Sequence, residues 1–332
     1  MPALAAAAWA AWQLTPASAT RPRRLVTVRQ GHTLASVGRS LEGLGLIRSA
    51  RVFTLYARLR GMDARVMPGR YRISPSLPAP EILRRLNTGF RDDEGVVTIW
   101  AGSTVAQIAS VLKSAGSIRD ADAFEELARR PAGRVRCPFP LPSTGLEGYL
   151  APDTYDFDPG AQPAVVAQAM LDAFVRSFYE PSRGDIARSG RSIHQIVTMA
   201  AMVEREAGVQ EDRPRIAGVI VNRLQKGMRL QIDATVLYAL GRHKTRVMYS
   251  DLRTRSPYNT YLHAGLPPGP IANPSLECLE AALHPEEHDY LYYVLGPTPG
   301  CHVFAATPEQ HQRNVAAYRA RRRAREASRS GA

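Results

Sequence analysis

The sequence lacks the short motifs that mark several common enzyme classes. It contains no GxSxG, no P-loop and no GxGxxG, so nothing in it supports serine hydrolysis or nucleotide chemistry. Its three cysteines, Cys137, Cys278 and Cys301, are an odd number and include no CxxC pair. A framework of disulfides is therefore not expected, whereas the redox compartment and a single bridge stay open.

The first twenty residues carry no charge, and Arg21, Arg23 and Arg24 follow at once. The stretch is rich in alanine, has no basic residue before it, and is of marginal length for a membrane-spanning helix. A membrane anchor over residues 1–24, a cleaved signal peptide and a start codon placed too far downstream all fit this pattern. A soluble cytoplasmic N-terminus is the simplest alternative, and the pattern favours export.

Positive charge is in excess, with 43 Lys and Arg residues against 30 Asp and Glu residues, which gives a net charge of +13. Much of the excess lies at the C-terminus, where residues 313–332 hold seven arginines and one acid, Glu326. A solvated helix end or a basic tail over residues 319–332 is the simplest interpretation. Binding to nucleic acid or to an anionic membrane is the more specific alternative. No nucleic-acid partner is expected.

A chain of 332 residues predicts two or three domains. Residues 25–93 are predicted to form a first compact unit. It begins with LVTVRQGHTL, which alternates in polarity like a strand and turns at Gly31. Two helices follow, the second with Ser49 as its N-cap, then a strand and a helix ending at Gly89. Residues 96–118 repeat the order strand, glycine, threonine, helix. This predicts a second small βα unit over 94–140, which ends in a Pro- and Gly-rich linker, and a larger domain over 141–318. The fold class expected is α+β.

The segment SIHQIVTMAAMVEREAG predicts a helix that begins at a capping box of Ser192 and Gln195 and stops at Gly208. Glu204 continues the apolar stripe of this helix, whereas Glu206 is expected to point to solvent. Burial and the negative end of the helix dipole both favour the protonated form of a carboxylic acid on that stripe. Such a group suits a general acid. The simpler alternative is a salt bridge from Glu204 to a nearby arginine, with Arg205, Arg213 and Arg223 as candidates.

Three further segments carry candidate binding residues. LEGYLAPDTYDF interleaves acids with aromatic side chains in the manner of a carbohydrate site, and is equally well a strand-and-turn packing motif. In QIDAT three polar residues alternate along a short extended run before a helix, and the proline-stiffened loop SPYNTYLHAGLPPG carries the amides and tyrosines of a binding loop or forms a purely structural turn. With Asn222, they supply the candidate substrate-binding residues Glu147, Tyr149, Asp153, Asn222, Gln231, Asp233, Thr235, Tyr258, Asn259, Thr260 and Tyr261. His284 and His288 have the spacing of a zinc helix, but Pro285 replaces the usual glutamate and no third ligand is evident. Neither a metal nor another cofactor is expected.

Taken in order, these segments resemble the endolytic murein transglycosylase family, also called YceG-like or MltG. The resemblance runs from about Val26 to Val315 and includes MVEREAG, GMRLQIDATVLYAL, SPYNTYLHAGLPPGPIANP and YLYYVLG. It implies that Glu204, the first glutamate of the E-x-E, is the acid/base that cuts peptidoglycan without water and leaves a 1,6-anhydro end. Ala151, Ala234 and Gln310 depart from the family's usual pattern.

The resemblance also implies that residues 25–93 form a LysM-like glycan-binding subdomain before a mixed α/β catalytic domain. It implies a single N-terminal anchor in the bacterial inner membrane, with the catalytic domain on the outer side. The substrate would be peptidoglycan glycan strands, cut between N-acetylmuramic acid and N-acetylglucosamine so that elongation of the strand ends. Penicillin-binding proteins and the division or elongation complexes are the partners it suggests. A non-catalytic scaffold that binds peptidoglycan is the alternative.

Overall fold

The computed structural model describes residues 9, 11–18, 24–29, 31–62, 66–88, 96–241 and 247–330. The chain divides into two compact units, residues 1–96 and 97–332. The helices are α1 (Leu34–Gly43), α2 (Ala50–Leu59), α3 (Ala79–Thr88), α4 (Val105–Ser114), α5 (Ala121–Arg129), α6 (Pro163–Phe174), α7 (Glu180–Arg188), α8 (Ile193–Glu206), α9 (Arg213–Gln225), α10 (Asp233–Leu240), α11 (Leu276–Leu283) and α12 (Pro308–Ser330). The strands are β1 (Arg24–Val28), β2 (Gly69–Ile73), β3 (Val96–Thr98), β4 (Thr154–Asp156), β5 (Tyr292–Leu295) and β6 (His302–Ala305). This mixture of helices and short strands confirms the α+β class.

The first unit has the order β1–α1–α2–β2–α3, which confirms the order expected from the sequence. Strands β1 and β2 pair antiparallel, with Val26 opposite Tyr71. Gly31 has a φ of +87° in the turn after β1, and the side chain of Ser49 caps α2 by accepting a hydrogen bond from Val52 N. The prediction that the last helix ends at Gly89 lies outside the described residues. An apolar cluster that includes Leu41 and Phe53, both without exposed surface, forms the core of this unit.

Residues 97–140, expected as a separate small unit, lie in the same compact unit as residues 141–318. The expected strand–glycine–threonine–helix order is present, since β3 is followed by Gly102 with a φ of +78° and by Thr104 in a capping box at the start of α4. Strand β3 pairs with β4, the next strand along the chain, which follows only after α4 and α5. The proline-rich stretch after α5 supplies Phe139 to the same apolar cluster as Ile108, so it packs into the core.

Helix α8 is the buried centre of the second unit. It begins at the predicted capping box, in which Ser192 Oγ accepts from Gln195 N and the Gln195 side chain accepts from Ser192 N. All eight residues from 196 to 203 are buried, because neighbouring elements, α9, α10 and α11 among them, pack around the helix. The helix ends at Glu206, two residues before Gly208. Any other residue at position 208 would carry a Cβ atom that overlaps the backbone of Gly300.

The C-terminal part of the second unit surrounds the end of α8. Strands β5 and β6 form an antiparallel hairpin with Tyr293 opposite Phe304, and α12 packs on this hairpin. Helix α11 begins at Ser275, whose side chain accepts a hydrogen bond from Cys278 N. Among the described residues, no helix is both long and apolar enough to cross a membrane, and all three cysteines are free thiols.

Candidate active site

Glu206 is the last residue of α8, and its side chain meets the β5–β6 hairpin. Tyr293 Oη donates a hydrogen bond of 2.9 Å to Glu206 Oε2. The pKa of Glu206 is raised to about 7. Burial is the main cause and the negative charge of Asp233 acts in the same direction, whereas the Tyr293 hydrogen bond and the Arg205 and Arg223 charges oppose them. The prediction that Glu206 points to solvent is therefore wrong: its side chain is only partly exposed and lies among polar groups.

A second carboxylate, Asp233, opens α10 on the same side of the site. Tyr261 Oη donates a hydrogen bond of 2.6 Å to Asp233 Oδ1, and the charge of Asp233 acts on Glu206. Two residues earlier, Gln231 has a φ of +52°, the single positive value among the non-glycine residues that the structure describes. Side chains other than glycine adopt this backbone region at a cost, and such strain is often found at functional sites. Asp233 and Gln231 are both exposed to solvent.

Glu204 is held differently from Glu206. Its Oε2 atom accepts two hydrogen bonds from Ser275, one of 2.9 Å from the backbone N and one of 2.6 Å from Oγ. Ser275 is the N-cap of α11, so Glu204 joins the end of α8 to the start of α11. No salt bridge from Glu204 to an arginine is present among the described residues, where arginine partners had been the simpler alternative.

Glu147 is a second buried acid, in the wall of a cavity of about 600 Å³. It accepts hydrogen bonds from Val105 N at 3.1 Å, Asn273 Nδ2 at 2.9 Å and Tyr238 Oη at 3.4 Å. Burial raises the pKa of Glu147 to about 7, although each of these donors lowers it. Arg205, the neighbour of Glu206 on α8, lines the same cavity.

Tyr293 is itself supported from behind by a buried Asp–His pair. The ring of His302 packs edge-on against the Tyr293 ring, with centroids 5.4 Å apart. His302 Nδ1 lies 3.0 Å from Asp212 Oδ2, and His302 N donates to the same oxygen at 2.6 Å. Both side chains are almost fully buried. Tyr293 is thus held between this pair and Glu206.

The remaining predicted site residues lie in four different surroundings. Four of them are buried, and their polar atoms are hydrogen-bonded inside the protein. They are therefore assigned to structural support rather than to substrate contact: Tyr149, Thr235, Asn259 and Thr260. Asn222 holds the loop before β5 through His288 O and Tyr290 O. Asp153 is exposed, accepts from Thr154 N and borders a different pocket. Tyr258 packs on Tyr238, near Glu147, with centroids 4.9 Å apart.

Four residues that donate hydrogen bonds to these glutamates were not predicted from the sequence: Tyr293, Ser275, Tyr238 and Asn273. The signal for Tyr293 was present in the YLYYVLG segment, but nothing local indicates which tyrosine of that strand faces α8. No group of three or more His, Cys, Asp or Glu side chains suited to a metal occurs in the part of the chain that the structure describes. His288, one of the two histidines with zinc-helix spacing, donates a hydrogen bond from Nε2 to Arg215 O instead.

The sequence is similar to that of a known protein family. The sequence model of the YceG-like family matches residues 26–317. The chain is 33% identical over 300 residues to the endolytic murein transglycosylase of Bacillus subtilis strain 168, an alignment that covers 87% of this chain and 82% of that protein. It is 30% identical over 320 residues to the endolytic murein transglycosylase of Streptococcus pneumoniae serotype 2 strain D39, with 88% of this chain and 57% of the relative covered.

A solved structure is similar as well. The crystal structure of a yceG-like protein from Listeria monocytogenes superposes with a TM-score of 0.58 at 31% sequence identity. The match covers 89% of this chain and 99% of that one. Both the sequence and the fold of this chain are therefore similar to those of YceG-like proteins over most of its length.

Proposed function

The chain belongs to the YceG-like family, and we propose that it is an endolytic murein transglycosylase with Glu206 as its acid/base. The observation that carries this choice is the contrast between two glutamates of one helix. Glu206 meets Tyr293 and has a pKa raised to about 7, so a large fraction is protonated at neutral pH. Glu204, the residue expected from the sequence, binds Ser275 with the same oxygen twice and remains the alternative that experiment must exclude.

The reaction needs one group that first gives a proton and then takes one back. Protonated Glu206 donates its proton to the glycosidic oxygen, and the bond between that oxygen and C1 of N-acetylmuramic acid breaks. The C6 hydroxyl of the same sugar attacks C1, and its proton passes to the Glu206 carboxylate. The products are a 1,6-anhydro end and a new N-acetylglucosamine hydroxyl, and no water is consumed. Hydrolases need a second carboxylate to activate water or to attack C1.

The neighbours of Glu206 suit these two stages. Tyr293 donates to the carboxylate and stabilises its charged form once the proton has left. The negative charge of Asp233, held by Tyr261, favours the positive charge that develops at C1. Proton transfer by a placed side chain contributes about 10²–10⁴-fold, and preorganised charges add to it.

The other parts of the family assignment belong to the same proposal. The first unit, with two helices between antiparallel β1 and β2, would serve as a LysM-like glycan-binding subdomain. The protein would act on nascent strands in the cell envelope, anchored through residues 1–24, and work beside penicillin-binding proteins of the division or elongation complexes. A peptidoglycan-binding scaffold without turnover is the competing function.

The experiment compares wild type with Glu206→Gln and Glu204→Gln on purified glycan strands. We expect Glu206→Gln to lose at least about 100-fold in rate while remaining folded. Glu204→Gln should keep its rate within about tenfold and lose about 1–2 kcal/mol of unfolding free energy, because Ser275 keeps only part of its hydrogen bonding. Full activity of Glu206→Gln together with an inactive, folded Glu204→Gln would return the role to Glu204. No turnover by wild type would favour the scaffold.

A further inference from the structure

We propose that the 600 Å³ cavity beside α8 binds the peptide stem of the glycan strand whose glycosidic bond lies at Glu206. The inference rests on the proposed function and names the part of the substrate that the cavity recognises. We define the stem cavity by Gln107, Glu125, Glu147, Arg205, Ala234 and Tyr238, which are among its lining residues.

The two helices that carry Glu206 and Asp233 also contribute residues to the wall of the stem cavity. Arg205 precedes Glu206 at the end of α8, and Ala234 follows Asp233 at the start of α10. The cavity therefore begins one residue away from each carboxylate. In murein the peptide is attached to the muramic acid ring through a lactyl group on C3, and C1 of that ring is the reacting atom. A strand bound for cleavage at Glu206 must bring a stem to this neighbourhood.

The charges that line the stem cavity fit a peptide better than a sugar. Glu125 is partly buried and has no hydrogen-bond or ion-pair partner among the described residues. Arg205 makes one long hydrogen bond, 3.4 Å from its Nη1 to Gly102 O. A wall peptide stem carries a free amine and one or more carboxylates, so it supplies a counter-charge for each of them. A neutral sugar supplies neither.

The aromatic content of the lining points the same way. Sugar sites place aromatic faces against the CH groups of the ring, but Tyr238 is the single aromatic side chain among the described residues that line this cavity. Its hydroxyl is directed to Glu147 Oε2. The apolar part of the wall comes instead from small and aliphatic side chains, Ala128, Ala234, Leu237 and Ile271 among them, which suit the methyl groups of alanine-type residues.

Glu147 makes the cavity a preformed site. It fixes Val105 N, Asn273 and Tyr238 at one wall through three hydrogen bonds, and Asn273 also accepts from Leu150 N at 2.9 Å. A wall that is held in place before binding loses little conformational entropy when the ligand enters. Glu125 is then the charged group whose removal tests recognition without dismantling the wall. The charge of Arg205 also acts on Glu206, and Arg129, which lines the cavity as well, pairs with Glu126.

The test uses the full chain and two matched glycan preparations, one with peptide stems and one from which an amidase has removed them. We expect wild type to cleave the stem-bearing strands with a kcat/KM at least about tenfold higher, a difference of about 1.4 kcal/mol. Glu125→Gln should lose about tenfold on stem-bearing strands, mainly through KM, and should not change the rate on stripped strands. Asp122→Asn is the control, since it removes an exposed acid of the same helix that does not line the cavity.

Each outcome bears on one of the two proposals. Equal kcat/KM for both strands in wild type, with anhydro ends on both, overturns the stem cavity and leaves the proposed function standing. A loss in Glu125→Gln that is equal on both strands also overturns it, because the residue would then act through the fold or the chemistry. Absence of anhydro ends from wild type on both strand preparations contradicts the proposed function itself.

Discussion

At the scale of single residues, the protonation state of Glu206 depends on the groups packed against it. Tyr293 donates to its carboxylate at 2.9 Å, and this hydrogen bond lowers a pKa that burial has raised to about 7. His302 and Asp212 hold the ring of Tyr293 from the other side. The tyrosine is therefore a positioning residue that also tunes the acid.

Tyr293→Phe keeps the ring and removes the donor. Because the hydrogen bond favours the charged form, its loss should raise the pKa of Glu206 further. A reaction that requires the protonated acid loses rate as the pH rises through that pKa. We expect the alkaline limb of kcat/KM against pH to move upward by roughly half to one unit. An unmoved limb, or one that moves to lower pH, would contradict the assignment of this limb to Glu206.

Glu147 makes a prediction about stability rather than rate. Its folded pKa of about 7 lies above the ordinary value of 4.5, so between these values the folded protein binds more protons than the unfolded chain. The free energy of unfolding must then fall as the pH rises through this window. In Glu147→Gln this contribution is absent, and the fall should be smaller by on the order of 3 kcal/mol.

Urea unfolding at a series of pH values measures the effect of Glu147→Gln. The control is Glu180→Gln, which removes an exposed glutamate of α7 and should leave the pH dependence as in wild type. The same dependence in Glu147→Gln and wild type would show that Glu147 is charged in the folded protein throughout the window.

The sequence points to Glu204, near the end of α8, as the acid/base, whereas the function proposed above assigns this role to Glu206, two residues later on the same helix. Helical spacing places Glu204 on the stripe of Val197 and Ala200, and the spacing is correct. The inference that Glu206 therefore faces solvent fails, because the helix is buried on every side from residue 196 to 203. Only the tertiary packing of the β5–β6 hairpin reveals that the other face also meets protein.

At the scale of elements, close approach explains one glycine in α9. A Cβ on Gly218 would overlap the carbonyl oxygen of Glu286 and lie 2.6 Å from His288 Nε2. His288 Nε2 in turn donates to Arg215 O, so this contact fastens the loop before β5 to α9. The β5 strand that carries Tyr293 follows directly.

Gly218→Ala should therefore lose about 1–3 kcal/mol of unfolding free energy by overpacking. The same change at Gly184, an exposed residue of α7 whose Cβ would meet only the flexible end of Arg188, should be neutral or gain up to about 1 kcal/mol from helix propensity. Thermal or urea unfolding of the two variants gives the comparison. Equal stability of both would contradict the close contact of α9 with the loop.

Local signals predicted most elements of the fold. The capping box at Ser192, the N-cap at Ser49 and the turn at Gly31 each correspond to the observed element, because they depend on interactions within four residues. The pairing of β3 with β4 and the π-helical turn Val175–Tyr179 between α6 and α7 were not foreseen. The strand pairing joins residues that are distant in the sequence, so no local signal indicates it.

At the scale of the whole molecule, the net charge of +13 meets a substrate whose peptide stems carry carboxylates. Such a charge accelerates encounter with an anionic polymer and is screened by salt. A tenfold rise in salt concentration should lower kcat/KM on stem-bearing strands by about three- to tenfold, with little change in kcat. Strands stripped of stems should show a weaker dependence, and salt-independent cleavage of stem-bearing strands would contradict electrostatic steering.

The site is assembled from segments that are far apart in sequence. Glu206, Asp233, Tyr261 and Tyr293 come from α8, α10, a loop and β5, and residue type alone indicated two of the four as candidates. The buried candidates Thr235 and Thr260 bond to each other at 2.9 Å and support that loop instead. Polar residues in the segments that resemble the family therefore include some that are exposed at the site and others that hold a loop in place. The sequence alone does not distinguish the two kinds.

The central claim is that Glu206 alone moves the proton and that water takes no part. Digestion of purified glycan in water labelled with heavy oxygen, followed by mass spectrometry of the strand ends, tests it directly. Wild type should release 1,6-anhydro ends that carry no heavy oxygen, and Glu206→Gln should release almost none while Glu204→Gln still does. Reducing ends that contain the label, or anhydro ends formed at the full rate by Glu206→Gln, would contradict the assignment.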